Sequence, residues 1–280
     1  MRGKLAVTTV LVASAAVACG TRQAQDLVVA GSPPAAAYSG PLYVPTKNLD
    51  EHSTRATRIE SGAAGRALEC DGEIYSGGPS DPWSRGDGGA TPEEGLQAYF
   101  DIEQPDVPHY GYRVERREAD RVLYSFDVDG RTKVAVIVAK DRKNRPGWGP
   151  ETSASCDPAE LPAGFTDTQP YEIWTDQDGT RVPITKVSSS VGPEHCDWQS
   201  AHFLTLGEDK LYARDPDGVL ADALLAPYDG DVRMPADAHD TGYRYKDWRL
   251  WLTSDTSKAY VRTPHGVEVW PRVKDGFGCR

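Results

Sequence analysis

Four cysteines spaced widely along the chain, Cys70, Cys156, Cys196 and Cys279, constrain its fold more tightly than any other feature. No two of them show the C-x-x-C spacing that gathers thiolates around zinc, so the pattern argues against a metal site. An even set of well-separated cysteines in an oxidising compartment reads instead as disulfides. Four cysteines allow three connectivities. Cys70–Cys156 and Cys196–Cys279 are preferred, because each pair then brackets one candidate domain. Closing loops of this size should destabilise the unfolded chain by about 4–5 kcal/mol each in the chain-entropy model.

A fifth cysteine, Cys19, sits in a different setting. Arg2 and Lys4 form a positive leader, and residues 5–17 are apolar or small. That stretch is shorter than the roughly 20 residues a permanent membrane-spanning helix needs. Small residues then lead into the run Ala16-Val17-Ala18-Cys19-Gly20. The run resembles the lipobox of bacterial lipoproteins, with Ala16 where leucine is usual. The resemblance implies cleavage before Cys19 and attachment of lipid, palmitate included, to its sulfur. It also accounts for the odd cysteine. The expected location is the outer face of a cell membrane, with the lipid anchor as the membrane contact; ordinary secretion with cleavage nearby is the alternative.

Charge narrows the partners. Loss of Arg2 and Lys4 with the leader takes the formal net charge from −11 to −13. So acidic a body repels nucleic-acid phosphates and anionic headgroups, which argues against binding either. Arginine outnumbers lysine about two to one and asparagine is nearly absent. With abundant Ala, Gly, Asp, Pro and Val, this resembles the coding bias of a GC-rich actinobacterium.

Periodicity suggests an α+β organisation. Residues 1–18 read as signal peptide and 19–66 as a lipid-anchored tether, poor in core-forming residues, with a short strand docked on the body over 38–45. An α+β domain is expected over 67–165. In it Thr91-Pro92-Glu93-Glu94 signals a helix start, with Thr91 as N-cap, Pro92 at the first helical position and Glu94 closing a capping box. The helix should end near Asp101. Three strands over 110–118, 121–127 and 132–140 and a fourth over 148–156 follow as an antiparallel meander, with Asp129-Gly130 as a hairpin turn. The layout resembles cystatin-type and NTF2-type folds, a likeness that carries no function. Residues 166–280 read as a mainly β domain. Its strands fall at 171–175, 181–187, 201–206, 210–213, 248–252, 259–262 and 267–270, as in a small barrel, sandwich or partial propeller. A weak helical piece is expected over 220–225.

The order of these pieces, with Cys196-Asp197-Trp198, Asp215-Pro216-Asp217-Gly218-Val219-Leu220 and Trp270-Pro271-Arg272 leading to Cys279, resembles uncharacterised actinobacterial lipoproteins. That resemblance implies an address and a layout, and no activity.

Motifs for chemistry are sparse. Asp-x-Asp-Gly occurs at 127–130, 176–179 and 215–218. Such runs open many calcium loops, but none here continues to the terminal glutamate, and each lies between strands where Asp and Gly serve as turn residues. The six histidines, His52, His109, His195, His202, His239 and His265, lack H-x-x-x-H spacing. G-x-S-x-G and phosphate-cradling glycine loops are absent, so no cofactor and no catalytic residue is expected. Seven tryptophans, Trp83, Trp148, Trp174, Trp198, Trp248, Trp251 and Trp270, fit β-domain cores or, if exposed, stacking on sugar rings. The favoured reading is a non-enzymatic binding or interaction module, with a cell-wall glycan or a protein as partner. A hydrolase acting on wall glycan or peptide and a structural envelope protein are the alternatives.

Overall fold

A computed structural model describes residues 26–34, 37–49, 51, 53–80, 83–142, 145–207 and 210–278; Cys19, His52 and Cys279 lie outside the described residues. Two short helices stand where a tether was expected: α1 (Thr54–Glu60) and α2 (Gly62–Ala67). The Ser53 hydroxyl caps α1 by accepting from the Ala56 N–H at 3.1 Å. Ala63, Ala64 and Ala67 of α2 pack with Leu42 against Leu123, Ala135, Ile137 and Ala154. The small residues that read as breakers are what let this helix lie close on a sheet. The stretch from Tyr38 onward is therefore part of the body, and residues 38–45 dock as an irregular strap without forming a strand.

The sheet beneath them has five strands: β1 (Ile74–Pro79), then, after helix α3 (Pro92–Glu103), β2 (Arg113–Arg117), β3 (Arg121–Val128), β4 (Arg131–Arg142) and β5 (Arg145–Cys156). Its order is β1-β5-β4-β3-β2 with every neighbour antiparallel. The expected meander supplies four strands, and β1 joins at the edge beside β5. Thr91 caps α3, accepting from the Glu94 N–H at 3.2 Å. The Glu94 carboxylate closes the cap one residue early, on the Ala90 N–H at 2.6 Å. The helix ends at Glu103, on Gln104 in the left-handed conformation. α3 covers one face of the sheet through Leu96, Tyr99 and Phe100, packed with Tyr112, Tyr124, Phe126 and Trp148. The strap, α1 and α2 cover the other. The Cys70–Cys156 disulfide ties the chain just before β1 to the end of β5.

The rest is mainly β. One sheet holds β6 (Tyr171–Ile173), β7 (Val187–Val191), β8 (His202–Leu206) and β9 (Lys210–Arg214) in that order; the other holds β10 (His239–Tyr245), β11 (Trp248–Leu252), β12 (Lys258–Thr263) and β13 (Gly266–Pro271). Trp174, Val187, Leu204 and Tyr212 share one core with Leu250, Ala259, Val261 and Trp270. Single bridges join the two sheets at both sides, Thr175 to Arg244 and Tyr212 to Arg272. Sandwich and barrel thus merge: two faced sheets are closed at both edges, which removes most free edge backbone.

Two strand assignments differ from the sequence reading. Residues 181–186 make only one bridge, Thr175 to Arg181, and Val187 opens the next strand. The strand pairing with β6 is β7, a serine-rich run whose small polar residues hide the alternation. β10, with Gly242 inside it, was likewise not legible. The 220–225 piece is a single 3₁₀ turn, Ala221–Ala223.

Candidate functional site

On the sheet face turned away from α3, a bulge in β5 organises a cavity. The register with β4 pairs Ile137 with Thr152 and then Val138 with Pro150, leaving Glu151 as the extra residue. Bulges re-aim side chains in this way. The Glu151 carboxylate is buried, and two arginines from neighbouring strands hold it. Arg121 donates from Nε to Oε2 at 2.8 Å and from Nη2 to Oε1 at 3.2 Å. Arg142 donates from Nη1 to Oε1. The Arg121 guanidinium also lies 4.7 Å from the centre of the Tyr43 ring on the strap.

Trp83 forms another wall. Its six-membered ring packs on Gly149, where a Cβ would come within 2.5 Å of Cδ2, so only glycine leaves room for the indole. Arg145 sits 5.9 Å from the centre of the Trp83 ring, and among the described residues no carboxylate pairs with it. Trp83, Arg142, Arg145, Glu151 and Thr152 line a cavity of about 210 Å³, roofed by residues 42–46.

Three residues of the lining each carry a buried polar atom that makes no hydrogen bond among the described residues: Ser80 Oγ, Trp83 Nε1 and Thr152 Oγ1. Leaving such a group unmet costs about 1–3 kcal/mol, so their gathering around one cavity needs an explanation. The larger groove of about 770 Å³ where the two halves meet, lined by Thr54, Tyr75 and Lys186 among others, holds none.

A second polar cluster lies between the sheets of the β-rich half. Glu172 Oε2 is 2.6 Å from His202 Nε2 and accepts from Ser189 Oγ at 2.5 Å. Ser189 Oγ in turn accepts from Trp174 Nε1 at 2.9 Å. The His202 ring meets Trp248 edge-on at 4.9 Å. Burial alone would push the Glu172 carboxyl up; the hydrogen bonds from His202 and Ser189 outweigh it and hold the group below its ordinary value. A carboxyl whose folded pKa is depressed stabilises the fold above its unfolded pKa, about 4.3, and the contribution fades as pH falls through the folded value. Glu172→Gln should therefore cost about 1–2 kcal/mol at pH 7. Thermal melts across pH should show the gap from wild type closing below about pH 4, whereas a gap independent of pH would contradict the ionised role.

The residues singled out in the sequence fall elsewhere. Cys70 and Cys156 are bonded to each other. Cys196 is also disulfide-bonded, and Cys279, its expected partner, lies outside the described residues, as does Cys19. Among the described residues one trio of possible metal ligands comes together, Cys70, Cys156 and Glu160, but its sulfurs are spent on the disulfide. The Asp-x-Asp-Gly carboxylates bind their own surroundings. Asp127 accepts from Arg113 Nε at 2.5 Å, Asp176 from the N–H groups of Asp178 and Thr180, and Asp215 from those of Val219 and Leu220. Asp129 and Gly130 both have positive φ, as a tight β-hairpin turn requires. Trp83, Trp148, Trp174 and Trp270 are buried, and Trp198 stacks on Phe277 at 5.5 Å.

Sequence reasoning named Trp83 only as one tryptophan among seven and passed over Arg121, Arg142, Arg145, Glu151 and Thr152. The available signal was a glutamate in the middle of a strand that is otherwise uncharged from Gly147 to Cys156. Comparison with protein-family models, with curated proteins and with solved structures finds no match for this chain.

Proposed function

We propose that this chain is an exported lipoprotein, held at the outer face of a membrane through lipid on Cys19, and that its α+β half, with the strap and helices from Tyr38 onward, and its mainly β half form a non-enzymatic binding module. The leader and the run ending at Cys19 support the address. The observation that carries the binding role is the cavity under the strap, where Arg142 and Arg145 meet the flat walls of Tyr43 and Trp83. A preformed enclosure with a few convergent polar groups is the common form of a solute site. Cell-wall fragments and protein partners are the candidate ligands to screen, by thermal shift on the full-length protein. A ligand at 100 times its dissociation constant stabilises the fold by about 2.7 kcal/mol, a visible change in melting temperature.

The anchor has its own test. Cys19→Ala should move the protein from the membrane pellet to the medium, because one or two acyl chains are the proposed hold on the bilayer. Continued sedimentation with membranes would remove the lipid-anchor reading.

A hydrolase acting on wall glycan is the second reading, favoured by the Glu172–His202 pair beneath Trp248. It requires that Glu172→Gln abolish turnover of a wall substrate while the protein remains folded.

A further inference from the structure

We infer that the cavity under the strap is an oxyanion site, taking the carboxylate or phosphate group of a solute about the size of a monosaccharide. The inference rests on the binding-module reading and adds the chemistry of the ligand.

Charge points the same way as the hydrogen-bond inventory. The chain as a whole carries a formal charge of −11. Among the described residues that line this cavity, two guanidinium groups, Arg142 and Arg145, meet one carboxylate, Glu151, which Arg121 also holds. Arg121 and Arg142 together hold Glu151, and Arg121 also reaches Asp120 at 2.6 Å, on its exposed side. Arg145 is left without a carboxylate among the described residues, stacked over Trp83. The local balance is positive in an acidic protein.

The donors around the cavity suit the same ligand. An indole N–H only donates, and the hydroxyls of Ser80 and Thr152 can donate. The remaining N–H groups of Arg142 and Arg145 offer donors to a group rich in acceptor oxygens, while the donors of Ser80, Trp83 and Thr152 lie behind the surface and reach it only through a local shift. Charge-assisted bonds from guanidinium to carboxylate or phosphate are about twice as strong as neutral ones. The volume of about 210 Å³ lies below the roughly 300–1,000 Å³ of pockets for drug-sized ligands, which restricts the occupant to a small molecule or one terminal group. Tyr43 and Trp83 add flat apolar walls of the kind that pack on a sugar ring.

The test is isothermal titration calorimetry on the full-length protein with four probes: inorganic phosphate, sulfate, glucuronate and glucose. Phosphate or glucuronate is expected to bind at millimolar concentration or tighter, and at least tenfold more tightly than glucose. Tighter binding of glucuronate than of phosphate assigns the carboxylate source, and the reverse assigns the phosphate source. Arg145→Gln should weaken binding at least tenfold and Thr152→Val several-fold. Arg145 lies partly exposed at the rim, so its variant is expected to fold, and an unchanged melting temperature verifies this. Glucose binding as tightly as glucuronate, with loss in Thr152→Val, would overturn the oxyanion assignment and leave the binding module standing. Oxyanion binding that Arg145→Gln leaves unchanged would also overturn it. No binding of any probe up to 10 mM would overturn it too, and a wall-fragment or protein ligand found by thermal shift would then show the broader reading surviving alone.

Discussion

Replacing Cys70 and Cys156 together by alanine is expected to lower the stability of the protein by about 4–5 kcal/mol. The bond closes a loop with a sequence separation of 86. In the chain-entropy model the unfolded ensemble regains the freedom that this closure removed. The native state should change little, because Lys133 holds the same region independently. Its ammonium group donates to the Glu69 carbonyl oxygen at 3.0 Å, to Asp71 at 2.9 Å and to Glu160 at 2.6 Å. Hydrogen bonds from Lys133 and Arg131 hold the Asp71 carboxyl down at about 2. Urea unfolding of the double variant should show a lower midpoint with a slightly steeper slope, since the unlinked denatured chain exposes more surface. A drop below about 1 kcal/mol would mean that the bond constrains little in the unfolded state.

Trp174→Ala should cost about 3–5 kcal/mol, the usual range for deleting a fully buried large aromatic side chain. Trp174 is completely inaccessible and stands between the two sheets of the β-rich half. Its ring lies 6.0 Å from that of Tyr245, and its N–H donates to Ser189, which supports Glu172 in turn. Trp174→Phe separates these contributions: most of the apolar surface stays, the donor is lost, and about 1 kcal/mol should follow from the hydrogen bond. Thermal or urea denaturation of the two variants checks the order. Equal losses would place the weight on the polar chain rather than on the packing.

Legibility in the sequence followed the range of the interactions. α3 was readable because Thr91, Pro92 and Glu94 act within one turn, and the structure keeps both the cap and the proline. β3, β4 and the turn between them were readable because the alternation of Val122, Tyr124 and Phe126 and the backbone demand at Asp129-Gly130 are local. The preferred pairing of Cys70 with Cys156 holds, on the simple ground that the two bracket one sheet. α1 was missed because it buries only Ala56, and α2 because, apart from Arg66, its side chains are small. A helix of glycine and alanine has little periodicity of its own and is stabilised by the sheet it lies on. β7 was hidden by serines, whose burial is decided by the neighbouring strands.

The cavity was least legible of all. Arg121, Arg142 and Glu151 belong to three different strands, and nothing in their spacing says that they meet. Sequence by itself determined the acidic character, the pairing of Cys70 with Cys156 and the elements whose signals lie within a few residues. Tertiary structure alone decided that the supposed tether roofs a sheet, that a bulge turns Glu151 toward two arginines, and that Trp83 packs on Gly149. The reason is physical: caps, turns and alternation are set by neighbours along the chain, whereas burial, charge pairing and unmet hydrogen bonds are set by neighbours in space.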